Sequence, residues 1–114
     1  MKKLAILIFI INSSIIFAQG EANHWFFGQN AGINFNNGAA SPISGNLNTT
    51  EGCASFSNKN GDLLFYTDGT TVWDKNNTPM PNGNGSLKGH PSSTQSAIIV
   101  PDPRNPDEFY IFTV

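Results

Sequence analysis

Several groups of side chains in this sequence have types and spacings that could do chemistry. Asp74-Lys75-Asn76-Asn77-Thr78 sets acidic and amide oxygens at alternating positions, as a calcium loop does. The pattern then fails, because Pro79 stands where the sixth-place glycine belongs and Gly85 where the twelfth-place glutamate belongs. A polar turn between strands accounts for it better. Glu51 and Asp68 could be drawn as the acid/base pair of a glycosidase, but carboxylates beside turns ordinarily accept backbone N–H groups. The hydroxyl-rich run Ser92-Ser93-Thr94-Gln95-Ser96 lacks the Gly-x-Ser-x-Gly elbow that exposes a nucleophile, and leads into a strand. His24 and His90 have no Cys, His or carboxylate at metal-ligand spacing. Cys53 is the single cysteine, so it can make no internal disulfide and is expected to act as a small buried hydrophobe. These residues support no catalytic, cofactor-binding or metal-binding assignment. Trp25 and Trp73 are the candidate ligand-binding residues, since exposed aromatics anchor sugars and protein partners. Core packing is the competing expectation for both, because each lies within a strand-like run.

The elements that must hold these residues are strands. After position 18, Asn, Gly and Pro make up 32 of 96 residues, a composition that suits turns and opposes helices. Short runs of aromatic and β-branched residues lie between them, at 24–27, 33–35, 53–57, 63–67, 71–73, 96–100 and 109–114. No dozen-residue window shows the apolar period of a helix, so the expected class is all-β, built of antiparallel meanders. The clearest is a three-stranded meander: Asn60-Gly61 supplies the first tight turn and Asp68-Gly69 the second.

Two parts of the chain resemble each other. Residues 62–67 align with 108–113 at an offset of 46, and residues 54–57 with 97–100 at an offset of 43, the difference falling in a longer linker through Pro101 to Pro106. Such spacing fits propeller blades, which recur every ~40–50 residues. Leu63-Leu64-Phe65-Tyr66 and Phe109-Tyr110-Ile111-Phe112 are apolar at consecutive positions, so both faces of each strand call for burial, as between stacked blades. The chain ends inside an apolar strand and offers about two blades where closure needs at least ~4. Residues 19–114 are therefore expected to be the N-terminal part of a longer β-propeller-like domain.

The first residues bear on the compartment. Met1-Lys2-Lys3 is a positive n-region, Leu4 to Ile11 an apolar h-region, and Ala18 a small residue suited to cleavage before Gln19, so residues 1–18 read as a secretory signal peptide. Asn12, Ser13 and Ser14 interrupt the apolar stretch, which is shorter than the ~20 residues that cross a bilayer, so no membrane span is expected after cleavage. Residues 19–114 carry four Lys or Arg against eight Asp or Glu, a net charge of −4. Without clustered cations, nucleic acid and anionic membrane surfaces are poor partners.

Seven blocks in fixed order carry a family resemblance: Asn23-His-Trp-Phe-Phe-Gly28, Ala31-Gly-Ile-Asn-Phe35, the stretch from Leu47 to Ser55, Gly61-Asp-Leu-Leu-Phe-Tyr-Thr-Asp-Gly69, Val72-Trp-Asp74, Met80-Pro-Asn-Gly83 and the stretch from Ser93 to Pro101. Together they resemble the N-terminal propeller-like region of large secreted Bacteroidetes proteins of the gliding-motility-associated group, which end in a type IX secretion sorting domain. The resemblance implies export to the cell surface or medium and carries no catalytic residues across. The sorting domain of that family has no counterpart in these 114 residues. The function expected is a non-catalytic adhesion or ligand-binding module acting on an extracellular protein or glycan, without a cofactor. Its alternatives are an accessory region of a secreted hydrolase and a structural spacer.

Overall fold

Asn58 shows how this chain makes its turns. Its side-chain oxygen accepts the N–H groups of Asn60 (2.9 Å) and Asp62 (3.0 Å), and its carbonyl accepts that of Gly61 (2.9 Å). Gly61 sits at φ +86°, and a Cβ there would lie 2.1 Å from Asn36 Oδ1, so only glycine fits. This turn joins β4 (Ala54–Ser57) to β5 (Leu63–Thr67), and the Asp68-Gly69 turn joins β5 to β6 (Val72–Asp74). Asp68 accepts the N–H groups of Thr70 and Thr71, both at 2.8 Å. Ala54 pairs with Thr67, Phe56 with Phe65 and Tyr66 with Trp73, which is the antiparallel meander expected from the sequence.

The structure is a computed structural model that describes residues 20–90 and 92–114; the expected signal peptide and its cleavage point before Gln19 lie outside the described residues. Among the described residues the fold is all-β, with one turn of 3-10 helix at Gly20–Ala22. Its strands form three small antiparallel sheets, ordered β1-β2-β3, β4-β5-β6 and β7-β8.

The first sheet differs from the expectation. β1 (His24–Phe27) lies where the residue pattern puts it, but β2 (Gln29–Asn34) starts four residues earlier and β3 (Ser41–Asn48) has no counterpart among the expected strands. β3 reads Ser-Pro-Ile-Ser-Gly-Asn-Leu-Asn, with Pro and Gly where strand formers would be looked for. Its glycine is required by packing: a Cβ on Gly45 would stand 2.7 Å from the Phe26 ring. The third sheet also departs from expectation. The segment from Pro101 to Pro106 is not a linker, because β7 (Ala97–Asp102) and β8 (Asn105–Thr113) pair right up to Asp102 and Asn105. Both are edge strands, where a residue without an N–H is tolerated.

The sheets lie face on face. Phe26 of β1 stacks on Tyr66 of β5 at 4.0 Å and 13°, and Tyr66 stacks in turn on Trp73 of β6 at 5.4 Å and 15°. Leu47 completes this buried cluster, with Ile43, Cys53 and Leu63 packed against it. Leu63 reaches that face through a bulge: pairing steps from Phe56↔Phe65 to Ser57↔Leu63, so Leu64 is the extra residue. The opposite face of the second sheet presents Phe56 and Phe65, and Phe109 of β8 packs on both at 5.1 and 5.2 Å. Burial of β5 on both sides therefore matches its run of apolar residues. In β8 the same kind of run alternates instead, leaving Tyr110 and Phe112 open to solvent.

Tyr66 is fully buried, and its hydroxyl accepts the backbone N–H of Asn46 (2.8 Å) while donating to Asn77 Oδ1 (2.8 Å). Replacing Tyr66 by Phe keeps the ring stack but leaves both partners unpaired. Loss of the hydroxyl should lower the unfolding free energy by about 1–3 kcal/mol in urea titrations. An unchanged midpoint would mean that the phenol does not tie the first two sheets together.

Candidate functional site

The first sheet places Trp25 on its outer side. Alternation along β1 sends His24 and Phe26 inward and Trp25 and Phe27 outward, where the two are 53% and 41% exposed. Trp25 is nevertheless fixed: its indole N–H donates to the Ala22 carbonyl at 2.8 Å, and its ring meets Phe35 edge-on at 5.1 Å. Ile33 lies opposite Trp25, and Ala31 opposite Phe27, so these four residues share one face. Trp73 is placed differently. It is 9% exposed within the Phe26–Tyr66–Trp73 stack, so of the two tryptophans only Trp25 is within a ligand's reach.

Two clefts flank the second sheet. One, of about 450 Å³, lies towards the first sheet and is lined by His24, Asn36, Asn58, Asp62 and Lys75 among others. Its polar groups largely satisfy one another: Asn23 donates to Asn36, Asn36 to the Gly61 carbonyl, and Asn58 to Asp62. The other, of about 630 Å³, lies towards the third sheet, where Phe56, Leu64, Pro101 and Phe109 give it a more apolar wall.

Where a serine and a histidine do meet, the geometry is structural. His24 Nδ1 stands 3.0 Å from Ser57 Oγ, a pair 33 residues apart that sequence spacing gives no means of finding. Ser57 is completely buried, so its hydroxyl cannot meet a substrate. Burial pushes the His24 imidazole below its ordinary pKa, opposed by the charge of Asp62 and the Gly61 carbonyl.

The other candidates are engaged locally. Asp68 accepts the Thr70 hydroxyl and two backbone N–H groups, and Glu51 accepts the Thr94 hydroxyl at 3.0 Å. Asp74 closes its own turn by accepting the N–H groups of Asn76 (2.8 Å) and Thr78 (2.9 Å). The Cys53 thiol donates to the Phe26 carbonyl, and burial, with Asp68 nearby, raises its pKa and keeps it protonated. Ser96 is wholly buried and His90 exposed. Among the described residues, no three His, Cys, Asp or Glu side chains gather in a way that could hold a metal ion.

One cluster was not singled out in the sequence. Asp102 is buried at the end of β7, where Arg104 donates to it from Nε, NH2 and the backbone N–H, and the Tyr110 hydroxyl adds a bond of 2.8 Å. These donors, Arg104 foremost, hold its carboxyl down to about 2. An Asp-Pro-Arg-Asn turn signal was its only trace in the sequence. Among the described residues, no helix is long and apolar enough to cross a membrane. The chain matches no family model, no curated protein and no solved structure.

Acid should destabilise the fold in two stages. His24 binds protons more readily unfolded than folded, so its contribution is complete above its ordinary value of 6.5 and is lost as pH falls below that. Asp102 contributes fully above 3.8, and that contribution is lost between 3.8 and about 2. Melting temperatures measured from pH 8 down to 2 should therefore show both declines. His24→Asn should flatten the upper one and leave the lower; an upper decline that persists in this variant would assign it to another group.

Proposed function

We propose that this chain is a non-catalytic exported module, secreted or held at the cell surface, that binds an extracellular protein or glycan through the Trp25 face of its first sheet. The observation that carries this reading is Trp25 itself, half exposed yet locked by a hydrogen bond and an aromatic edge contact. A rigid, pre-oriented aromatic plate loses little conformational entropy when a sugar ring or an apolar protein patch settles on it. The hydrogen bonds of Asp68, Asp74 and Glu51 within turns and loops, and of Ser57 to His24 between sheets, support the non-catalytic reading.

In this reading the second and third sheets are about two successive blades of a propeller-like domain, packed on each other through Phe109 against Phe56 and Phe65. The signal-peptide pattern of residues 1–18 supports export, and the ordered blocks from Asn23 to Pro101 support an origin among the gliding-motility-associated, type IX-secreted proteins of Bacteroidetes.

The test combines export and binding. Intact mass of material recovered from the medium should show a chain beginning at Gln19. On arrays of immobilised glycans and extracellular proteins, Trp25→Ala should weaken whatever binding the parent chain shows by tenfold or more, with the melting temperature little changed. Binding that survives this substitution, or a chain that retains residues 1–18, would refute the corresponding half of the proposal.

A further inference from the structure

The cleft between the second and third sheets holds an acidic group to which the described residues give no partner. Glu21, on the 3-10 turn Gly20–Ala22, lines this cleft, and its Oε2 is shut off from water yet accepts no hydrogen bond. A carboxylate oxygen so placed costs free energy unless a donor or a cation compensates it. Among the described residues, Ser96 Oγ is the one other buried side-chain oxygen left in this way, and it packs against the backbone at Gly52.

The backbone on both sides of Glu21 is fixed. Gly20 is buried so closely on the β4–β5 turn that a Cβ there would lie 2.4 Å from the Gly61 nitrogen and 2.6 Å from the Lys59 carbonyl oxygen. Its own carbonyl accepts the Asn23 N–H at 3.0 Å, and the Ala22 carbonyl accepts the Trp25 indole N–H. The turn therefore holds the carboxylate at the cleft.

The rest of the cleft is hydrocarbon and weakly acidic. Phe56 and Leu64 of the second sheet face Pro101 and Phe109 of the third, and the volume of about 630 Å³ is that of a small-molecule site. Asp102 is already matched by Arg104. Glu21 and Asp107 then stand against Lys59 alone, two negative charges against one positive, and Lys59 makes no ion pair with either.

We infer that this cleft binds a small organic cation, a primary ammonium carried on an aromatic or aliphatic hydrocarbon body. The body lies between the walls formed by Phe56, Leu64 and Pro101, and the ammonium meets Glu21. A carboxylate shares its charge over both oxygens, so a cation arriving from the cleft side also compensates the oxygen that is shielded from water. A neutral molecule of the same shape leaves the carboxylate uncompensated, and an anion is repelled. This site is separate from the Trp25 face, which lies on the outer side of the first sheet, and does not depend on it.

The test is calorimetric titration of the chain near neutral pH with 2-phenylethylammonium and hexylammonium, beside 2-phenylethanol and 3-phenylpropionate as neutral and anionic counterparts. At least one ammonium ion should bind saturably, one per chain, and the alcohol and the carboxylate tenfold or more weakly. Glu21→Gln, which keeps the side-chain shape, should weaken ammonium binding at least tenfold and leave the alcohol unaffected. Trp25→Ala should change neither. Circular dichroism checks folding; should Glu21→Gln unfold the chain, Asp107→Asn, at an exposed position, should lower ammonium affinity by a smaller factor. The inference is overturned if neither ammonium ion binds, if the alcohol binds as tightly, or if the folded charge variants bind like the parent. Loss of ammonium binding in Trp25→Ala would also overturn it, by moving the site to the outer face of the first sheet.

Discussion

Tyr66 sits where the demands on this fold converge. Its ring lies between Phe26 of the first sheet and Trp73 of its own, and its hydroxyl bonds a backbone N–H in β3 and a side-chain amide in the loop after β6. Each aromatic contact is worth on the order of 1 kcal/mol beyond simple burial, and a fully buried ring of this size removes substantial apolar surface from water. A chain whose single cysteine is free has no covalent cross-link to share that burden. Gly45 and Asn77 follow from it: the first has no side chain because the Phe26 ring and the phenol occupy its space, and the second turns at φ 62° and presents its amide oxygen to the phenol.

The middle sheet is apolar on both faces, and this has consequences beyond stability. A sheet with one solvated face needs only one partner, whereas β5 with Tyr66 on one side and Phe65 on the other requires two. The flanking sheets supply them, and each turns its remaining aromatic residues outward. Trp25 and Phe27 at one end, with Tyr110 and Phe112 at the other, are therefore products of the same construction that builds the core. The polar groups between the sheets are spent on the scaffold, among them the buried His24–Ser57 pair and the Asp102–Arg104–Tyr110 cluster.

Much of the middle sheet was legible in the sequence because its signals are local: Asn60-Gly61 and Asp68-Gly69 are turn dipeptides, and the runs between them are aromatic or β-branched. β3 was not legible, since its residues are strand-like only in the company of Phe26 and Tyr66; tertiary packing overrides the poor propensity of Ser, Pro, Gly and Asn. The proline-rich stretch misled for a related reason, because an edge hairpin tolerates Pro101 where a central strand would not. For the candidate site, Trp25 and Trp73 looked alike in sequence, each in a short apolar run. Which strand face each occupies depends on pairing and stacking that no single run encodes, and those alone separate an exposed plate from a core ring.

That separation can be measured directly by iodide quenching of tryptophan fluorescence at high dilution. The account predicts two populations: Trp25, open on the outer face, quenched readily, and Trp73, enclosed between sheets, almost untouched, with the quenchable component disappearing in Trp25→Phe. Equal quenching of both tryptophans, or shielding of both, would contradict the placement of aromatic faces on which the fold and its proposed function rest.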